Sequence, residues 1–267
     1  MEGLKLMEQQ KRAVPVIMDF SGIYQTEKFW TDQEVQWISA AEISGTNCYC
    51  DDEARQLLRK KIKNADLRGI HFIDSGNYHY MSAVWLEKHK EPFRLLVLDN
   101  HTDMQLPAFG GLLSCGGWIG DLIESHPGLT QVILIGPDEE AYSQTDSLFQ
   151  SKTCFYSREK LKNNGKEELE LFLKKIPADM PLYISVDKDI LRPGEASTTW
   201  SQGDMSLDEL LHILETVMRQ ILVNGGTVAG MDVCGECDPG EMGGSTANDR
   251  ANRELLRLYQ NGVCYEK

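Results

Sequence analysis

Short apolar runs alternate along this chain with longer mixed segments. Residues 93–98 (FRLLVL) form the clearest run, nearly unbroken, as expected of a strand covered on both faces of a sheet. Residues 13–19 (AVPVIMD), 69–74 (GIHFID), 131–135 (QVILI), 181–186 (PLYISV) and 227–233 (TVAGMDV) read as further strands. Helical patterns stand between them: residues 52–63, a segment from near Ser82 through AVWLEKHK, then 118–125, 167–175, 206–223 and about 248–259. Residues 206–223 form the best of these. Ser206 is placed to cap it, Glu209 completes a capping box, and Asn224, Gly225 and Gly226 stop it. Strand–helix alternation predicts an α/β fold, a three-layer α-β-α sandwich with a mostly parallel sheet. No repeat, low-complexity tract or linker interrupts the pattern, so residues 1–267 read as one domain with a polar start, 1–12, that disorder would suit. Residues 137–166 carry no secure pattern.

Composition narrows the partners. With 41% apolar residues over 267, a packed core needs no disulfide or structural metal. The net charge of −14 makes a nucleic acid backbone a poor partner and a small cation a better one, although many cytoplasmic proteins are simply acidic. The first residues lack the apolar stretch of a secretory leader, and no run of 18 apolar residues could span a membrane. Seven cysteines, an odd number, fit free thiols in a reducing cytoplasm.

The chemistry gathers where strands end, which in an open α/β sheet is where ligands bind. Residues 93–98 run into Asp99-Asn100-His101-Thr102-Asp103, residues 181–186 into Asp187-Lys188-Asp189, and residues 69–73 into a loop ending at His79. An extended chain points alternate side chains the same way, so Asp99, His101 and Asp103 would converge if the backbone stays extended, and Asp187 with Asp189 likewise. Each piece alone is more often a solvated loop or a hydrogen-bonded histidine. Together they supply four carboxylates and two imidazoles. Four acids at one sheet end would repel one another, and two divalent cations would neutralise them. The oxygen-rich, nitrogen-containing set suits Mn²⁺, while Fe²⁺, Co²⁺ and Zn²⁺ also fit. Two such ions roughly 3.5 Å apart can lower the pKa of a shared water.

At these residues the sequence resembles the arginase/agmatinase (ureohydrolase) superfamily, as a divergent member. D-N-H-T-D at 99–103 is similar to the family's D-A-H-x-D, and S-V-D-K-D at 185–189 to its S-x-D-x-D. G-N-Y-H at 76–79 stands for a G-G-D-H-like loop, and E-C-D-P at 236–239 for E-x-N-P, all in the family's order. The resemblance implies an arginase-like fold and a metal set of His79, Asp99, His101, Asp103, Asp187 and Asp189. The first ion would be held by His79 and Asp103, the second by His101 and Asp189, with Asp99 and Asp187 bridging. Two catalytic roles follow from it: Asp103 orients a metal-bridging hydroxide, and Glu236 pairs with a substrate guanidinium. The implied reaction is hydrolysis of a non-peptide C–N bond in a linear amidine, a guanidino group foremost, with formimino or amide carbons also accessible. Members of such folds often form homo-oligomers.

Departures from the family pattern bear on the substrate. Asn100 replaces a small residue and should face away from the ligands, and Arg192 stands where an acid is expected. The loop 109–118 (FGGLLSCGGW) lacks the histidine with which arginases meet free arginine, leaving Cys115 as the nearest titratable group. A small guanidino compound or an arginine-containing peptide is therefore the expected substrate; the loop's glycines would leave room for the larger one, or simply mark tight turns. Cys234 and Cys237 form a lone C-x-x-C that packs near Glu236, serves as a switchable disulfide or, least of all, binds zinc. Trp200 either packs or stacks on a planar cation. Two other readings compete: a deacetylase-like metal-dependent amide hydrolase, against which Asp103 argues, and a non-catalytic metal-binding relative.

Overall fold

The computed structural model describes residues 13–106, 111–163, 165–241 and 244–262, so the polar start at 1–12 lies outside the described residues. Ten strands are present among the described residues: β1 (Val16–Asp19), β2 (Gln36–Ser39), β3 (Tyr49–Cys50), β4 (Ile70–Phe72), β5 (Phe93–Leu98), β6 (Leu113–Ser114), β7 (Leu129–Ile135), β8 (Thr153–Tyr156), β9 (Leu182–Asp187) and β10 (Val228–Cys234). Nine α-helices join them among the described residues: α1 (Asp52–Ile62), α2 (Met81–Leu86), α3 (Trp118–Ser125), α4 (Glu139–Ser143), α5 (Ser147–Ser151), α6 (Arg158–Asn163), α7 (Lys166–Leu173), α8 (Leu207–Val223) and α9 (Gly244–Gly262). Eight strands form one sheet in the order β2-β1-β4-β10-β9-β5-β7-β8, and every pairing in it is parallel. β3 and β6 make a separate antiparallel pair.

The central strands are buried along their length, as their apolar runs require. On one face pack Leu58, Trp85, Trp118 and Ile119 from α1–α3; on the other, Leu210, Leu214, Val217 and Leu255 from α8 and α9. This is the expected three-layer sandwich. α8 starts as its sequence dictates: Ser206 Oγ accepts the Glu209 N–H, and the Glu209 carboxylate accepts the Ser206 N–H. Other boundaries move. The helix expected from near Ser82 ends at Leu86, and α9 begins and ends beyond the expected 248–259. β2, β3, β6 and β8 were not anticipated. Each is four residues or shorter and carries too few positions to show a period.

Candidate metal centre

Sheet register brings the ligands together. In β9 and β10, Ser185 is level with Asp232 and Asp187 with Cys234. Leu98 of β5 is level with Val186, so Asp99 arrives beside Asp187. Residues two apart on a strand share a face, which puts Ser185, Asp187, Asp232 and Cys234 on one side of the sheet. His79 enters from the loop between β4 and α2. That loop is anchored by Asp74, whose left-handed backbone (φ 69°) turns the chain and whose carboxylate accepts the N–H groups of Phe20 and Ser21 at 2.9 Å and of Ser75 at 2.7 Å. Burial pushes the Asp74 carboxyl up to about 6 even against those hydrogen bonds.

The acids do not converge by extended alternation as the sequence suggested. Past β5 the chain turns: the His101 N–H donates to Asp99 Oδ1 at 2.6 Å, and Asp103 is left-handed (φ 47°). Asp187 caps a single 3₁₀ turn, Lys188–Ile190, by accepting the Asp189 N–H at 2.9 Å. Side-chain-capped turns, rather than pleat geometry, fold each motif back on itself.

The result is a ring around two imidazoles. His79 Nδ1 lies 2.9 Å from Asp103 Oδ2, 3.3 Å from Asp99 Oδ2 and 3.5 Å from Asp187 Oδ2. His101 Nδ1 lies 2.7 Å from Asp189 Oδ2 and 3.6 Å from Asp99 Oδ1. Asp99 thus offers one oxygen to each imidazole. It is common to two ligand sets, His79–Asp99–Asp103 and Asp99–His101–Asp189, while a third set joins His79 and Asp187 to Cys234. Within each set the ligand atoms lie within 4.8 Å of one another, close enough for a single ion to touch all of them. The four aspartates and His79 are buried, and only His101, with 34% of its side chain exposed, opens to solvent.

Electrostatics fit the donor set to cations. Burial disfavours charge on His79, yet Cys234, Asp103 and Asp99 outweigh it and raise its pKa well above the usual value. For His101 the balance of burial against Asp189 and Asp99 comes out at about 11. Burial, then repulsion from Asp99, pushes Asp103 up to about 7 and Asp187 upward. Burial with Asp187 and Asp99 raises Asp189. These shifts record an excess of buried negative charge that two divalent cations would neutralise. Asp99 Oδ2 is buried without a well-directed hydrogen bond among the described residues, which an ion would supply.

Residues that sequence reasoning did not single out hold the ligands in place. His79 Nε2 meets Ser185 Oγ at 2.9 Å, and Ser185 donates on to Asp232 Oδ1 at 2.6 Å. His101 Nε2 meets Ser201 Oγ at 2.9 Å. These contacts occupy the outer nitrogens and leave both Nδ1 atoms facing the acids. Trp118 Nε1 donates to Asp103 Oδ2 at 2.6 Å. Ser185 was visible as the first letter of S-V-D-K-D; Ser201, Trp118 and Asp232 carried no local signal. Asn100 faces away as expected, donating to the Ser201 carbonyl at 2.9 Å.

Glu236 has a different setting from the ring. It is fully buried, and its Oε1 accepts from Lys188 Nζ and from Asn252 Nδ2. Lys188 also donates to Asn252 Oδ1 at 2.9 Å, and Asn252 donates to Glu27 Oε2 at 2.8 Å. The carboxylate expected to receive a guanidinium is thus held by a lysine of this chain. Cys115 is buried too, its thiol pushed up to about 12 by burial and then by Asp103. Residues 109 and 110 of this loop lie outside the described residues, and Gly111 is left-handed (φ 92°) with open space beside it, whereas the two glycines after Cys115 mark close approach: a Cβ on Gly117 would stand 2.8 Å from the Gln105 carbonyl, and one on Gly116 3.1 Å from the Gln105 side chain. Trp200 is 43% exposed at the rim, 6.0 Å from the His101 ring, with its Nε1 donating to Asn77 Oδ1 at 2.9 Å.

Known structures share this fold. Proclavaminate amidino hydrolase of Streptomyces clavuligerus superposes with a TM-score of 0.70 at 15% identity, over 95% of this chain and 93% of that one. Formimidoylglutamase of Bacillus subtilis gives 0.64 at 16% identity, over 96% and 89%. An uncharacterized protein of Thermotoga maritima is 28% identical over 247 residues, 90% of this chain and 87% of that protein. At the level of sequence families, the Arginase family matches residues 27–251, and the chain belongs to it.

Proposed function

We propose that this chain is a two-cation hydrolase of a non-peptide carbon–nitrogen bond in a linear amidine, with a guanidino group as the foremost substrate. The observation that carries the reading is Asp99, buried and directing one oxygen to each of two acid-ringed imidazoles. His79, Asp99, Asp103 and Asp187 would hold one ion, His101 and Asp189 with Asp99 the other. The pair of cations would supply Lewis-acid activation of a water at neutral pH. Asp103, whose Oδ2 is fixed by the Trp118 indole, would orient that water through a hydrogen bond. The second set, two carboxylates and an imidazole, suits Mn²⁺.

Substrate orientation falls to the rim. A guanidinium would reach Glu236 only by displacing Lys188 from a fully buried ion pair. Glu236 therefore serves to hold the lysine between Asp187 and Asp189, and the exposed Trp200 face is the platform for a planar cation. A small guanidino compound or a peptidyl arginine suits this open rim, and free arginine suits it less because residues 109–118 contain no histidine. The names of the two structural neighbours, an amidino hydrolase and a formimidoylglutamase, lie within the same bond class. The six cysteines of the described residues are free thiols, which supports a cytoplasmic setting.

Elemental analysis of the purified protein, coupled to a urea-release screen of guanidino compounds and arginine-containing peptides, tests the proposal. Two divalent ions per chain and urea from one substrate class are expected. One tightly held Zn²⁺ with amide hydrolysis and no urea would replace the reading with a deacetylase-like one.

A further inference from the structure

We infer that Cys234 is a ligand of the first metal ion, giving that position a sulfur donor beside its oxygens and nitrogen. The inference rests on the two-cation reading and narrows it. Register sets Cys234 level with Asp187 on adjacent parallel strands, both on the face from which His79 approaches. Its Sγ donates to Asp187 Oδ2 at 3.1 Å and lies within 4.8 Å of the ligating atoms of both Asp187 and His79. The side chain is fully buried. His79, which shares that set with the thiol, also brings its Nδ1 to 3.3 Å from Asp99 Oδ2, the buried oxygen left without a directed hydrogen bond.

The following turn keeps the sulfur there. Gly235 is left-handed (φ 90°), and a Cβ on it would stand 2.4 Å from Asp187 Oδ1 and 2.8 Å from the Lys188 N–H nitrogen. Only glycine lets β10 end this close to the Asp187 turn. A divalent ion held here would take Cys234 as a thiolate: the S–H bond would break, its proton would be released to solvent, and a sulfur lone pair would serve as the donor. The Asp187 oxygen that accepts the S–H would then be free for the same ion. A thiolate softens the first position toward Zn²⁺, Co²⁺ or Fe²⁺, whereas the second position keeps its oxygen and nitrogen donors. The two positions are thus chemically unequal.

Cobalt titration of chelator-stripped protein tests this. The wild type should bind Co²⁺ with visible ligand-field bands and an intense near-ultraviolet sulfur-to-cobalt charge-transfer band. Cys234→Ser should keep the visible bands and lose the near-ultraviolet one, while Cys237→Ser keeps both. The variant's preference for Zn²⁺ over Mn²⁺ at the first position should fall at least about tenfold. Cobalt bound by the wild type without the charge-transfer band, or a band that survives Cys234→Ser, would overturn the inference and leave the two-cation reading standing. Failure of the wild type to bind cobalt, zinc or manganese would overturn both. Should Cys234→Ser not fold, X-ray absorption of the zinc-loaded wild type decides: one sulfur at about 2.3 Å is expected, and a shell of oxygen and nitrogen alone refutes it.

Discussion

His71 and His79 are both sealed from solvent, at 0% and 1% exposure, and they behave in opposite ways. His71, in β4, is stacked on Trp85 with ring centroids 3.9 Å apart, and its ring nitrogens hydrogen-bond to neutral groups, the Tyr183 hydroxyl at 3.2 Å and the Asp66 carbonyl at 2.9 Å. Burial dominates there and lowers its pKa to about 4. His79, past the end of the same strand, faces three carboxylates and is driven well above the ordinary value despite equal burial. Burial alone therefore does not mark a candidate metal ligand. What marks it is an excess of buried negative charge gathered on one nitrogen, more than a single proton can balance.

The sharpest way to break this contrast is to remove the shared acid. Asp99→Asn should strip metal from both positions and reduce turnover far beyond the ~10–100-fold cost of an outer-shell change; elemental analysis beside a rate measurement checks it, and two retained ions at full rate would dismantle the ring as described. Lys188→Met comes next. Lys188 is a fixed internal cation rather than a metal, and its loss leaves Glu236 buried and unpaired, so denaturant melts should show a loss of about 3–5 kcal/mol, partly restored by adding Glu236→Gln.

His71 gives a smaller, pH-dependent effect. Its folded pKa lies below the unfolded value of 6.5, at about 4, so the folded state binds fewer protons. The stabilisation is complete above pH 6.5 and is lost as pH falls toward 4, by about 3 kcal/mol at roughly 1.4 kcal/mol per pH unit. Urea melts of metal-free wild type against His71→Asn should show the two stabilities diverging with that slope; parallel curves would mean that His71 is protonated in the fold. Least costly is Ser185→Ala, which removes the partner of His79 Nε2 and should weaken metal binding by about 10–100-fold without unfolding the chain. Isothermal titration measures it, and an unchanged affinity would show that the orientation of His79 is set elsewhere.

Much of this was readable from residue order. β5 and α3 lie where the apolar pattern put them, and the α8 cap is formed by the two side chains the pattern named. Residues 137–166 resisted because they hold three helices of five or six residues and one four-residue edge strand, too short for any period to emerge. The six ligand-type residues stood out because each group follows a strand. How they meet did not, since convergence depends on turns capped by Asp99 and Asp187 rather than on pleat alternation. Ser185, Asp232 and Cys234 were hidden for another reason. Their roles come from the register between β9 and β10, which pairs residues 47 positions apart and is written in neither segment alone.

The Lys188–Glu236–Asn252–Glu27 chain has a temporal consequence. Glu27 lies near the start of the described chain and Asn252 in its last helix, 225 positions later, and both bear on the lysine inside the Asp187–Asp189 turn. During synthesis the strand carrying that turn leaves the ribosome well before α9 does. Until α9 docks, Lys188 lacks Asn252, and the turn it braces stays unclamped. The candidate metal-ligating residues all precede Asn252 in the chain, so the bracing of their turn is complete only once α9 has docked.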